Sequence, residues 1–244
     1  MARLLLALVA SLALAAPAQA ADRPFPVADF ERLIVEGSYR VQLVVGRATT
    51  AVASGTREGL DRVSVESSGR TLRIRPRRDA WGANAAADPG PVTIRLTTRS
   101  LRSARLLGPA VLEVEGAGAG VAPGGRDVEF LVQGSGTIRA TRVTADTLSL
   151  GLLGAGSLEV AGTAETLRGQ FQGTGNVAAA GLTADSATVT ANTVGTVALK
   201  VNGRAEITAY GLGTVTIAGT PACMLSGPGV ANVRCGGSDQ GQVR

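Results

Sequence analysis

The chain has 244 residues, of which 33 are glycine; 45% are hydrophobic but only 3% aromatic, and the formal net charge is +5. An interior built from it is aliphatic, made of Val, Leu, Ile and Ala, and the length suits one elongated domain or two compact ones. The chain contains no histidine, which excludes Ser-His and Cys-His nucleophile pairs and removes the commonest metal ligand.

Residues 1–20 read as an export signal. Arg3 supplies the positive start, residues 4–16 form an apolar run, and Ala18-Gln19-Ala20 is a small-x-small cleavage site. Cleavage is predicted between Ala20 and Ala21. The apolar run is shorter than the ~20 residues that span a bilayer. No cysteine immediately follows the cleavage site to take a lipid. No later stretch is long and apolar enough for a transmembrane segment, so the mature chain is expected in the periplasm or secreted. In that oxidising setting the two cysteines, Cys223 and Cys235, invite a disulfide.

Residues 21–107 are β-rich but irregular. Residues 30–45 (FERLIVEGSYRVQLVV) predict two strands around Gly37-Ser38. Further strands are predicted at 51–54, 63–67, 71–75 and 92–97, with a hairpin turn at Ser68-Gly69. Residues 80–91 (AWGANAAADPGP) read as a loop that holds the only tryptophan, Trp81.

Residues 108–235 carry an internal repeat. Its anchors are 134–140 (GSGTIRA), 154–160 (GAGSLEV), 173–179 (GTGNVAA), 193–199 (TVGTVAL) and 211–217 (GLGTVTI), whose starts are 20, 19, 20 and 18 residues apart. One column of the repeat holds Ile138, Leu158, Val177, Val197 and Val215; two residues on come Ala140, Val160, Ala179, Leu199 and Ile217. The position just before the first of these columns holds Thr137, Ser157, Asn176, Thr196 and Thr214, all small and polar. This period-two alternation points one face of each strand into a core. Two residues before the anchors stand Val132, Leu152, Phe171, Ala191 and Ala209, and four before stand Phe130, Leu150, Gly169, Val189 and Ile207. Taking Gly227 as a last, degenerate anchor adds Leu225 to the first of these columns and Cys223 to the second. Each period thus predicts two inward strands joined at a Gly-x-Gly corner.

Such a period predicts a single-chain β-solenoid, an all-β stack in which successive turns lie about 4.8 Å apart and bury their apolar faces jointly. A sandwich or up-and-down barrel also has many short strands, but its equivalent positions need not keep their chemistry at a fixed period. Residues 108–114 (GPAVLEV) look like a first, imperfect anchor, with 116–125 (GAGAGVAPGG) looped out of that turn. Residues 236–244 read as a flexible tail.

The opening FERLIVEGSYRVQLVVG, then SGRTLRIRP, then the glycine-flanked strands and the close AGTPACMLSGPGVANVRC resemble the putative auto-transporter adhesin, head GIN domain family. The resemblance covers roughly residues 30–235. It implies a β-solenoid in exported bacterial proteins and carries over no catalytic residues. The chain departs from that pattern in softer motifs such as Thr193-Val194-Gly195 and in its cysteine pair.

Three features bear on chemistry. Gly116-Ala117-Gly118-Ala119-Gly120 follows a strand, but no helix pattern comes after it, so dinucleotide binding is excluded. Asp146, Glu165 and Asp185 form an acidic column eight residues before successive anchors. They read either as turn-capping acids or as stacked carboxylates that call for a cation. Arg70, Arg73, Arg75, Arg77 and Arg78 cluster, with Arg95, Arg99, Arg102 and Arg105 downstream. They read as a solvated face that discourages edge pairing, or as a face for an anionic cell-surface polymer or protein partner. No aromatic interleaving supports nucleic acid.

Cys223 and Cys235 both point to the interior of the last coil, where a cross-link would hold a terminal turn shut; two buried thiols are the alternative. No cofactor is implied and no oligomeric state is legible. The functional expectation is a non-catalytic binding or structural module at the cell envelope. The rival is a polysaccharide-acting enzyme on a β-helix scaffold, which would need a carboxylate pair about 5–10 Å apart on one exposed face.

Overall fold

Alternating apolar residues broken by glycine corners give short bent strands that satisfy their backbone only by pairing with the next turn. The computed structural model describes residues 21–77, 90–122, 124–236 and 242–243. The signal segment, Arg78 and most of the loop with Trp81 lie outside the described residues, as does most of the predicted tail. The fold is all-β, with 68% strand and 3% helix, in one curled, open sheet of half-barrel section.

The strands are β1 (Ala21–Pro24), β2 (Arg32–Glu36), β3 (Arg40–Val45), β4 (Thr50–Gly55), β5 (Val63–Ser68), β6 (Thr71–Pro76), β7 (Thr93–Thr98), β8 (Ser103–Leu107) and β9 (Val111–Glu115). There follow β10 (Asp127–Gly134), β11 (Thr137–Gly154), β12 (Ser157–Gly173), β13 (Asn176–Thr193), β14 (Thr196–Ala209), β15 (Thr214–Gly219), β16 (Ala222–Ser226), β17 (Val233–Cys235) and β18 (Gln242–Val243). A short helix, α1 (Arg57–Asp61), falls between β4 and β5 and was not expected; the Thr56 hydroxyl caps it by accepting the Gly59 N–H at 3.0 Å.

From β10 to β15 neighbouring strands are parallel and in register. Partners lie from 17 residues apart (Thr183 beside Lys200) to 20 apart (Ile138 beside Leu158). The predicted columns are buried side by side: Ile138, Leu158, Val177, Val197 and Val215 are each no more than 2% exposed. The sequence reading missed a third inward segment per turn. Inward alternation in β11 skips a step at 141–142 and again at 146–147, so Val143 and Ala145 form an extra buried pair between the two expected ones. The backbone turns there: Arg142 has φ 54°, and the pairing register shifts between Ala140 and Val143. Short, Ala- and Gly-rich segments gave too weak a period to be recognised.

Gly169 leaves a gap in the inward column of Leu150 and Val189, and the Phe171 ring fills it, 2.8 Å from where a Gly169 Cβ would stand. Residues 116–122 and 124–125 loop out of their turn, so Val111 pairs with Thr137 across 26 positions.

The N-terminal part joins the same stack, but not in chain order. β2 lies between β6 and β8, parallel to both. β3 lies between β7 and β9, likewise parallel to both. The first turn in sequence is therefore second in space. Gly37 between β2 and β3 is its corner, and Gly37, Gly108, Gly134, Gly154 and Gly173 share φ values from 100° to 124°, which only glycine adopts readily. Beyond this turn the chain closes the stack with antiparallel pairs: β5 on β6, β4 on β7 and β1 on β4. Capping a parallel stack with antiparallel ribbons leaves no flat parallel edge at that end.

At the other end one expectation is corrected. Gly227 is not the last anchor. Arg204 pairs with Ala222 and Ile207 with Leu225, keeping the 18-residue step of the previous turn, so Gly229 stacks on Gly211. Gly227 would have shortened that turn to 16. Cys223 accordingly sits in the column of Ala205 and Ala187, two residues from its expected column. Cys235 follows Ile217 and Leu199. Both are half-buried against the core, with Cα atoms 6.6 Å apart and the sulfurs in bonding contact.

Candidate functional site

Outward residues of a parallel sheet line up in rows across the strands. One row runs over six adjacent strands: Thr71 on β6, Arg32 on β2, Ser103 on β8, Glu129 on β10, Ser149 on β11 and Arg168 on β12. Beside it lie Arg105, Asp127 and Thr147. These residues, with Arg102, line an open groove of about 730 Å³.

The groove's charges are unevenly matched. Arg105 pairs with Glu129 at 3.1 Å, and Arg102 with Glu31 at 3.4 Å. Among the described residues neither Arg32 nor Arg168 is in an ion pair. They stand four strands apart, about 19 Å at the usual interstrand spacing, with Ser103, the Arg105-bound Glu129 and Ser149 between them. Such a surface offers, among the described residues, two guanidiniums outside any ion pair, with the Asp127 carboxylate also unpaired beside them, and the hydroxyls of Thr71, Thr147 and Ser149, a donor set for carboxylate, sulfate or phosphate groups along an extended chain.

The arginines singled out in the sequence are dispersed and largely paired. Arg73 faces Glu36 at 3.7 Å, and Arg75 binds both carboxylate oxygens of Glu66, at 2.8 and 3.0 Å. That hydrogen bond holds the Glu66 carboxyl below its usual range and raises Arg75. Arg70 and Arg102 share Glu31. Arg99 pairs with Asp29 at 3.6 Å. Arg95 lies on β7, beside β3 rather than β2, and donates to Ser54 at 3.3 Å. The backbone N–H of Arg77 donates to the Arg62 carbonyl. Arg102 and Arg105 reach the groove; Arg32 and Arg168 were missed. Each flanks a buried leucine, Leu33 or Leu167, and alternation alone could have placed it outward. Nothing along the chain says that residues 136 positions apart share a row.

At the acidic column, Asp146 caps a corner. Its carboxylate accepts from Arg126 Nη2 at 2.6 Å and Nε at 3.0 Å, and from the backbone N–H groups of Gly124 and Arg126 at 2.6 and 2.9 Å. The Arg126 side chain is the main cause that holds the Asp146 carboxyl below the usual carboxylate range, and Asp146 in turn raises Arg126. Glu165 and Asp185 occupy the same position on the next two turns. Among the described residues no three carboxylate or thiol side chains gather to hold a metal ion. A carboxyl held low stabilises the fold above its unfolded value of about 3.9, and the contribution fades as pH falls through the folded value. Asp146→Asn should therefore lower the melting temperature at neutral pH. The gap to the parent should close as the melts are taken below about pH 4; a gap independent of pH would refute this role.

The sequence model described as "Putative auto-transporter adhesin, head GIN domain" matches residues 29–221. A search of curated proteins finds no match. Solved structures share the fold at low identity. A putative adhesin from Bacteroides fragilis NCTC 9343 has a TM-score of 0.71 at 17% identity, over 89% of this chain and 94% of that one. A putative lipid binding protein from Parabacteroides distasonis ATCC 8503 has a TM-score of 0.63 at 16% identity, over 93% and 96%. A putative adhesin from the same strain has a TM-score of 0.63 at 16% identity, over 90% and 98%. Among the described residues no helix is long and apolar enough to cross a membrane.

Proposed function

Because this chain belongs to the putative auto-transporter adhesin, head GIN domain family, we propose that it is an exported, non-catalytic β-solenoid module that binds an anionic polymer of the bacterial cell envelope. The solenoid reading is supported by the parallel ladder from β10 to β15, with its near-constant step and its three inward segments per turn. Within it, residues 108–235 are the regular turns and 21–107 the turns that close the N-terminal end. Export rests on residues 1–20 alone.

The observation that carries the binding reading is the groove between Arg32 and Arg168. The paired arginines of β6 and its surroundings are a solvated face in this reading, because exposed ion pairs contribute little and leave little field for a ligand. Binding of purified protein to polygalacturonate or lipopolysaccharide should weaken steeply as salt rises. The double variant Arg32→Glu, Arg168→Glu should lose it while melting like the parent. Salt-independent binding, or binding untouched by that variant, would overturn the groove assignment.

The enzyme alternative would rest on Asp127 and Glu129, which alternate on one outward face of β10. Glu129, however, is engaged by Arg105, and we expect no release of reducing ends from any polysaccharide that binds.

We further take Cys223–Cys235 as a disulfide that holds the last turn. Its sequence separation is 12, and a loop of that size is worth roughly 2–3 kcal/mol in the chain-entropy account. The Cys223→Ser, Cys235→Ser variant should unfold at correspondingly lower urea. Two free thiols in the purified parent, titrated under denaturing conditions, would remove this role.

A further inference from the structure

Among the described residues the large apolar side chains exposed to solvent, Val194 (65%), Tyr210 (55%) and Leu212 (82%), all lie on one corner of the stack. Val194 and Leu212 are the middle residues of successive Thr-Val-Gly and Gly-Leu-Gly corners. The other large apolar groups among the described residues are buried or half-buried, so such a cluster marks a contact surface. The two outward rows beside it are uncharged. Gln172, Asn192 and Tyr210 stand side by side on neighbouring turns: Gln172 pairs with Asn192, and the Tyr210 N–H donates to Ala191. Gln170 and Thr190 form the next row. Among the described residues the side chains of Gln170, Gln172, Thr190 and Asn192 make no hydrogen bond, and all four are exposed.

We propose that this corner binds a neutral polysaccharide, at a site separate from the arginine groove. Amides and hydroxyls both donate and accept, as sugar hydroxyls do. The tyrosine ring offers an apolar face to the C–H face of a pyranose while its hydroxyl stays wet. The interstrand step of about 4.8 Å is close to the length of one pyranose unit, so successive sugars meet successive turns. With no charge in these rows, a charged polymer gains nothing here over a neutral one. A protein partner is disfavoured by area: three side chains on a convex corner fall far short of the roughly 800 Å² per partner that stable interfaces bury.

Affinity electrophoresis tests this, with the purified protein run in gels containing dextran, laminarin or galactomannan at low and at high salt. At least one neutral gel should retard the protein equally at both salts. Tyr210→Ala and Asn192→Ala should each weaken that binding about tenfold without changing the melting temperature. The Arg32→Glu, Arg168→Glu variant should leave it intact, which separates this site from the groove. No retardation in any of the three gels, or retardation untouched by Tyr210→Ala, would overturn the proposal. So would binding to phosphatidylcholine vesicles, abolished by Leu212→Ser, in place of saccharide binding.

Discussion

Val177→Asp should prevent the chain from folding stably, whereas Ala178→Asp, one residue away, should be nearly silent. Val177 is 2% exposed, between Leu158 on β12 and Val197 on β14, and its column continues to Ile138 and Val215. No donor lies in that column to receive a carboxylate. An aspartate there must either bury an unpaired charge or open the turns, at a cost of more than about 4 kcal/mol. Ala178 points outward and is exposed; it lies beside Glu159, whose charge Arg139 offsets, so the same substitution should cost within about 1 kcal/mol. Paired urea titrations followed by circular dichroism measure both. Similar midpoints for the two variants would show that the turns do not share one interior.

Gly175→Ala is the smallest substitution expected to do comparable harm. The second glycines of the corners lie against one another: a Cβ on Gly175 would stand 2.3 Å from the Gly156 carbonyl oxygen and 2.8 Å from a Leu152 methyl. On the following turn, a Cβ on Gly195 would stand 1.9 Å from the Gly175 oxygen. The obstacle is mostly backbone, fixed by the ladder hydrogen bonds on either side, so a methyl group can enter only by spreading the turns. Overpacking of that kind costs about 3 kcal/mol at the upper end of its usual range. Thr174→Ala, at the exposed tip of the same corner, should leave the urea midpoint unchanged. Parent-like stability of Gly175→Ala would mean the corners are looser than this stacking requires.

The same geometry explains a departure from the glycine pattern. Thr193 takes the place of a first corner glycine, and it is not among the residues with positive φ. Its hydroxyl donates to the Gly173 carbonyl at 3.1 Å and accepts the Gly195 N–H at 3.0 Å. A side chain is tolerated because the backbone at this turn has left the left-handed region, and the hydroxyl satisfies the corner's polar groups. What looks in sequence like a weakened motif is a different solution to the same corner.

Much of the fold could be read from the chain because it is written locally. Alternation at period two and recurrence near twenty residues are properties of a short window, and they fixed which of Leu158, Val177 and Val197 face inward and that they share a column. They also placed most of the strands of the N-terminal part, from residues 30–45 to 92–97. The last turn went astray because Gly227 and Gly229 offer two anchors, and only the pairing of Ile207 with Leu225 chooses between them.

What the sequence alone determined is therefore the inward face and the step of the regular turns. The tertiary structure decided the order of the first turns, the partners of the arginines and the two surfaces proposed for binding. Leu33 pairs with Leu72 and with Ala104, 39 and 71 residues on, across connections of unequal length that leave no period to detect. Arg32 and Arg168 share a groove, and Arg73 meets Glu36, only after those pairings form. A charge's partner depends on which strand lies alongside, and strand order is set by the joint burial of apolar faces from distant parts of the chain.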